Sequence, residues 1–152
     1  MKDQSTELQL LFALFANRLR SASLTLRPAA SMRSLANLEK EYGPLPKEMR
    51  SFYERFDGMD EMDPKNRIRL WRLDEIKPAT DEVKEDQQLC TGVEDQLVFA
   101  DYLIWSWAFV IDVRGDGSVS IIGGGAPERV ASSFGDFLRL FIDDDGSNRW
   151  LT

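Results

Sequence analysis

Hydrophobic and polar positions follow two different rhythms in the last third of this chain. Trp105, Trp107, Phe109 and Ile111 fall on one side of an extended backbone, and Ile104, Ser106, Ala108, Val110 and Asp112 on the other. Strand side chains alternate faces, so this predicts a strand with one large apolar face and one smaller, mixed face. Gly115-Asp116-Gly117 supplies residues that tolerate positive φ, as a tight hairpin turn requires, and residues 118–122 return as a second strand. After a corner at Gly123-Gly124-Gly125 the period becomes helical. Phe134, Phe137, Leu138 and Phe141 stand at i, i+3, i+4 and i+7. Ser133, with Asp136 three positions on, caps that helix, which fades near Asp143-Asp144-Asp145-Gly146.

The first half reads as helices. Leu8, Leu11, Phe12, Phe15 and Leu19 mark one face of an amphipathic helix that packs on the domain or on a partner subunit. Arg27-Pro28-Ala29-Ala30 is a connection. Ser31 then caps a second helix that buries Met32, Leu35 and Leu38 and stops at Gly43. Pro44-Leu45-Pro46 makes a rigid corner, with Pro46 in the first turn of a third helix. Met49, Phe52, Tyr53 and Phe56 form the apolar stripe of that helix and Gly58 its stop. Residues 68–73 predict a strand in which the direction of Trp71 stays open, and Leu73-Asp74-Glu75-Ile76 a short helical turn. Residues 79–94 are polar and acidic, as in a surface loop or lid, and residues 97–100 open the main sheet. The order predicts an α+β domain, a mostly antiparallel sheet flanked by helices. Residues 1–30 form an N-terminal helical extension and 31–152 a single domain.

At 152 residues, 43% hydrophobic and 30% charged, the chain has the size and composition of a globular domain with a full core. A lone cysteine, Cys90, cannot form an internal disulfide, which fits a reducing cytoplasm. Histidine is absent, which removes Ser-His and Cys-His nucleophile pairs, His-containing zinc sites and the usual near-neutral proton shuttle. The longest apolar run, residues 10–16, is far short of the roughly 20 residues a membrane helix needs, and acidic residues precede it where a signal peptide needs positive charge. The net charge of −7 is unevenly spread: residues 1–40 carry +3, residues 41–101 carry −7 and residues 102–152 carry −3. Acidic surface repels phosphate backbones, so direct nucleic-acid binding is not expected, whereas encounter with a basic protein is favoured.

The candidate chemistry is sparse. Asp57, Asp60, Glu61 and Asp63 cluster after the third helix, and Asp81, Glu82, Glu85 and Asp86 follow in the acidic loop. The first group lacks the alternate-position oxygens, central glycine and terminal glutamate of a calcium loop. Both groups are read as a partner-facing acidic rim, with plain solvated surface as the alternative, and no metal or cofactor is expected. Gly123-Gly124-Gly125 lacks the lysine and hydroxyl of a phosphate loop, and Arg114-Gly115-Asp116 is a hairpin turn. Trp105 and Trp107 are read as core. Trp71 and Trp150 are read as partly exposed, and exposed tryptophan is enriched at interfaces.

Several segments in sequence order resemble the SUKH superfamily, the group of the Smi/Knr-type cell-wall regulator and many bacterial immunity proteins. They are Leu38-Glu39; Tyr42-Gly43-Pro44-Leu45-Pro46; Phe52-Tyr53; Phe56-Asp57-Gly58; and Leu70-Trp71-Arg72-Leu73-Asp74-Glu75-Ile76. Phe99-Ala100-Asp101, Ser106-Trp107-Ala108, Ala131-Ser132-Ser133-Phe134 and Phe137-Leu138 complete the set. The resemblance spans residues 31–142 and leaves the first helix outside. It implies an α+β fold, a non-enzymatic protein and, in bacteria, an immunity protein that blocks a toxin of nuclease or deaminase type. A regulator or scaffold of cell-envelope synthesis is the other role in the group. It also implies that Leu45, Phe52, Gly58, Trp107, Phe134 and Phe137 are framework, since docking surfaces in the group vary. Oligomeric state is left open.

Overall fold

The computed structural model describes residues 4–82, 95–103, 106–123 and 127–151. Its elements are α1 (Gln4–Ser21), α2 (Met32–Tyr42), α3 (Lys47–Tyr53), β1 (Ile68–Leu70), a 3-10 turn (Leu73–Glu75), β2 (Lys77–Pro78) and α4 (Ala79–Glu82). They continue with β3 (Gln96–Tyr102), β4 (Trp107–Asp112), β5 (Val119–Ile122), β6 (Glu128–Ala131), α5 (Phe134–Asp143) and a final 3-10 turn (Arg149–Leu151). The strands form one antiparallel sheet in the order β1-β3-β4-β5-β6, with β2 also paired to β3. The fold is α+β.

The helical stripes bury as their spacing requires. Phe134, Phe137, Leu138 and Phe141 of α5 are all buried, as are Met49, Phe52 and Tyr53 of α3 and Phe56 beyond it. Their rings connect the layers. Phe99 of β3 and Phe109 of β4 meet Phe137 edge-on at 5.2 and 4.9 Å, Phe134 meets Phe52 at 5.3 Å, and Phe15 of α1 meets both Phe52 and Phe141. Trp150 in the last turn stacks on Phe109. Aromatic burial therefore runs without a break from the sheet through α5 and α3 to α1. Helix α1 turns its Leu11, Phe12, Phe15 and Leu19 into this same core.

Caps fix the helix ends. Ser31 Oγ accepts from Ser34 N at the start of α2, and Ser133 Oγ accepts from Asp136 N at the start of α5. Glu48 on α3 adds a carboxylate to the N-terminus of α5, where Gly135 N–H donates to it at 3.0 Å. At the other end Arg18 of α1 donates to Ile142 O, Asn66 to Phe141 O, and Asn148 to Asn66 O. The first two of these bonds satisfy carbonyls that the last turn of α5 leaves without partners. Together these bonds tie α1, the turn before β1 and the C-terminal segment into one polar knot.

Several expectations are corrected. Strand β4 is buried on both faces from Ala108 to Ile111, so its smaller face, with Ala108 and Val110, is enclosed as well as its large apolar one. Trp107, expected in the framework core, lies at the strand's open end with 36% of its surface exposed, packed over Gly123; Trp105 lies outside the described residues. Met32 is exposed because it falls on the outer side of the first turn of α2, and Leu35 alone in that helix is fully buried. Gly58 is not the stop of α3, which ends at Tyr53; its φ of +70° and the Trp71 carbonyl beside it demand glycine, since a Cβ there would lie 2.2 Å from that oxygen. Residues 79–82, expected at the start of the acidic loop, form α4, and two strands the pattern did not announce, β2 at 77–78 and the edge strand β6 at 128–131, join the sheet.

Candidate partner-binding surface

The segment after α3 is held against β1 by backbone bonds, Met59 N to Leu70 O and Asp63 N to Ile68 O. This places the predicted acidic cluster on an irregular hairpin beside the sheet. Its members have separate fates. Asp63 has no exposed surface: its Oδ1 accepts from Lys65 N and Asn66 N, and Arg18 of α1 lies 3.1 Å away. Asp63 is thus removed from the partner-facing set, because the turn into β1 needs a carboxylate to gather its N–H groups. Asp57 is half-buried and accepts from Leu73 N at 2.8 Å, which pins this hairpin to the 3-10 turn.

Arg27, in the connection between α1 and α2, neutralises the outer part of the cluster. It lies 2.7 Å from Asp60 and 3.6 Å from Asp57, and it also donates to the Asp57 carbonyl. Asp60 nevertheless keeps 44% of its side chain in solvent, and Glu61 is exposed. Asp74, next to the Leu73 N–H that Asp57 holds, is 76% exposed and lies 3.6 Å from Arg72. The accessible acidic edge is therefore Asp60, Glu61 and Asp74.

Behind it lies a polar frame. Arg69 makes a two-pronged contact with Glu75, Nη1 to Oε1 at 2.9 Å and Nη2 to Oε2 at 3.0 Å, and donates to the Met59 carbonyl. Burial alone would raise the Glu75 carboxyl. The Arg69 hydrogen bonds, the Arg72 N–H and the two positive charges outweigh it and hold the group below the usual glutamate range. Tyr53 donates to the Trp71 carbonyl at 2.6 Å, and complete burial, reinforced by Asp57 and Glu75, pushes its phenol well above the ordinary tyrosine range. It stays protonated and acts as a strut.

Trp71 is 1% exposed, with its indole N–H donating to Asp101 Oδ1 at 2.9 Å. It leaves the partner-facing set as well: the strand turns it inward, and a buried carboxylate satisfies its polar end. Asp81 and Glu82 belong to α4, while Glu85 and Asp86 lie outside the described residues, as does Cys90. Among the described residues no group of histidine, cysteine or acidic side chains is placed to hold a metal ion, and no helix is long and apolar enough to cross a membrane. Leu45, Phe52, Phe134 and Phe137 are buried and Gly58 is hemmed in by Trp71. Residue-by-residue reading missed Arg18 and Arg27, which consume much of the acidic cluster inside the fold. The signal available for them was the +3 of residues 1–40 facing the −7 of residues 41–101.

A family model described as SMI1 / KNR4 family (SUKH-1) matches residues 29–140, well over half of the chain, and leaves α1 outside the match. No curated protein is significantly similar to the sequence.

Proposed function

Starting from a chain that belongs to the SMI1/KNR4 (SUKH-1) family, we propose that this protein is an immunity protein that binds and masks a basic toxin domain of nuclease or deaminase type in the cytoplasm. Family membership supports a non-enzymatic immunity or regulatory domain, and the choice between those two roles is the content of this proposal. The observation that carries it is the acidic edge of Asp60, Glu61 and Asp74, left in solvent while Asp57 and Asp63 are absorbed by the fold. Exposed carboxylates on a framework this firmly braced steer a basic partner into encounter and need no movement to receive it. Inhibition follows from covering the toxin's working surface.

Co-expression with the toxin-like product of a neighbouring gene tests this reading. Restored growth together with a complex that co-purifies is the expected result. Toxicity that persists, with no complex formed, overturns it. An envelope defect on deletion of the gene, in the absence of any toxin complex, assigns the chain to the regulatory branch.

A further inference from the structure

Residues 18–28 lie ahead of the span matched by the family model, yet they are fastened to both ends of the acidic hairpin. Arg18, in the last turn of α1, lies 3.1 Å from Asp63, a carboxylate with no exposed surface. The chain then leaves α1 through Ser23, a non-glycine residue at a φ of +60°. There Leu24 N–H bonds back to Leu19 O and Ser23 N–H to Arg20 O, the paired bonds of a helix end that glycine usually occupies. This exit sends residues 24–28 past the hairpin. Leu24 and Leu26 pack on the core, and Arg27 brings all three guanidinium nitrogens to the hairpin. Its Nε donates to the Asp57 carbonyl at 3.1 Å, its Nη1 to Asp60 Oδ1 at 2.7 Å, and its Nη2 lies 3.6 Å from Asp57 Oδ2. The Pro28 carbonyl completes the seam by accepting from Asp57 N at 2.8 Å.

We propose that this segment is a strap. Rooted in the core by the fully buried Phe15 and Leu19, it holds residues 57–63 in shape through Arg18 at one end and Arg27 with Pro28 at the other. The hairpin's own bonding explains the need. Its backbone meets β1 through Met59 N–H to Leu70 O and Asp63 N–H to Ile68 O, and residues 60–62 between them make no backbone hydrogen bond among the described residues. So lightly bonded a segment opens locally unless side chains hold it. The strap therefore keeps Asp60 and Glu61 in one arrangement. It bears on the toxin-binding proposal only through that arrangement, and its test needs no partner, so the two can fail separately.

Native-state hydrogen exchange on the full chain reads the strap, with the sheet as internal standard. Amides of β3 and β4 report global unfolding; those of Asp57, Met59 and Asp63, bonded to the Pro28, Leu70 and Ile68 carbonyls, report the hairpin. Arg27→Met, at a side chain 25% exposed, is expected to lower hairpin protection roughly tenfold relative to the β3 and β4 amides. Arg27→Lys keeps the charge but cannot bridge the carbonyl and the carboxylates together, and is expected to fall nearly as far. Arg18→Met is expected to lower Asp63 protection beyond its effect on the sheet. Hairpin and sheet amides that change by one common factor overturn the proposal, because Arg27 then contributes only to overall stability. Hairpin protection equal to the parent's in Arg27→Met or Arg27→Lys overturns it as well.

Discussion

Replacing Arg18 by methionine isolates the contact that joins α1 to the acidic hairpin. Methionine keeps much of the aliphatic stem and its packing near Phe141 but removes the guanidinium. Two losses follow. Asp63, with no exposed surface, loses the cation 3.1 Å away, and the Ile142 carbonyl at the end of α5 loses its donor. Breaking a buried pair from one side costs about 3–5 kcal/mol, and the 9% exposure left to Arg18 points to the lower end. About 3 kcal/mol would lower Tm by roughly 6–12 °C in a domain of this size. Asp63→Asn should cost less, about 1–2 kcal/mol, because an amide oxygen still accepts from Lys65 N and Asn66 N, and the Arg18 guanidinium left without its carboxylate keeps the Ile142 carbonyl and some contact with solvent. The Arg18→Met/Asp63→Asn pair should then cost less than the sum of the singles by about 1–3 kcal/mol. Urea unfolding of the four proteins measures each value. Arg18→Met within about 0.5 kcal/mol of the parent, a range ordinary for surface changes, or strictly additive singles, would refute the claim that this pair is a structural element and not surface charge.

Other outcomes follow from the same geometry. Gly58→Ala forces a Cβ against the Trp71 carbonyl at a φ of +70°, so a loss of about 3 kcal/mol or more, read as a fall in Tm or in soluble yield, is expected; a parent-like Tm would contradict the close approach. Glu48→Ala removes the carboxylate at the N-terminus of α5 and should cost about 1 kcal/mol by urea midpoint, with no change counting against the cap. Glu75→Gln should destabilise by about 1–2 kcal/mol at neutral pH. The Glu75 carboxyl lies below its unfolded value, so its contribution is complete above about pH 5 and disappears as pH falls through the folded value. The gap between parent and variant should therefore close on acidification, and a gap constant down to pH ~3 would show that the ion pair is not its source.

Much of the fold was legible because helical stripes and caps are local. Phe52 and its neighbours, the stripe of α5 and the Ser31 and Ser133 caps could be read from spacing alone. What spacing could not supply was tertiary context. Strand β4 reads as one large and one smaller, mixed face, and only the fold shows that Ala108 and Val110 on the smaller face are enclosed too. Trp107 carries a core residue's chemistry at a position where the sheet ends. Strand β6 contains Glu128 and Arg129 in succession, a pattern with no apolar alternation, and exists because β5 offers it a ladder.

The docking surface was legible as a charge and not as residues. Residues 57–63 do form the acidic segment beside the sheet, but a local count cannot tell a carboxylate that faces solvent from one that gathers a turn's N–H groups, as Asp63 does. Arg18 and Arg27 stand 45 and 30 positions from the groups they meet, Asp63 and the Asp57 carbonyl, a separation no local pattern encodes. Trp71 was open to either reading until its indole found Asp101 on the neighbouring strand.

The association rate of the Asp60→Asn/Glu61→Gln/Asp74→Asn protein with its toxin partner, measured by stopped flow over a range of salt concentrations, tests the central claim most directly. Loss of three steering charges should slow association by roughly tenfold at low salt and flatten its salt dependence, with a stability loss of no more than about 1 kcal/mol from the partly exposed Asp60–Arg27 pair. An association rate and salt slope equal to those of the parent would contradict the claim that this acidic edge receives the partner.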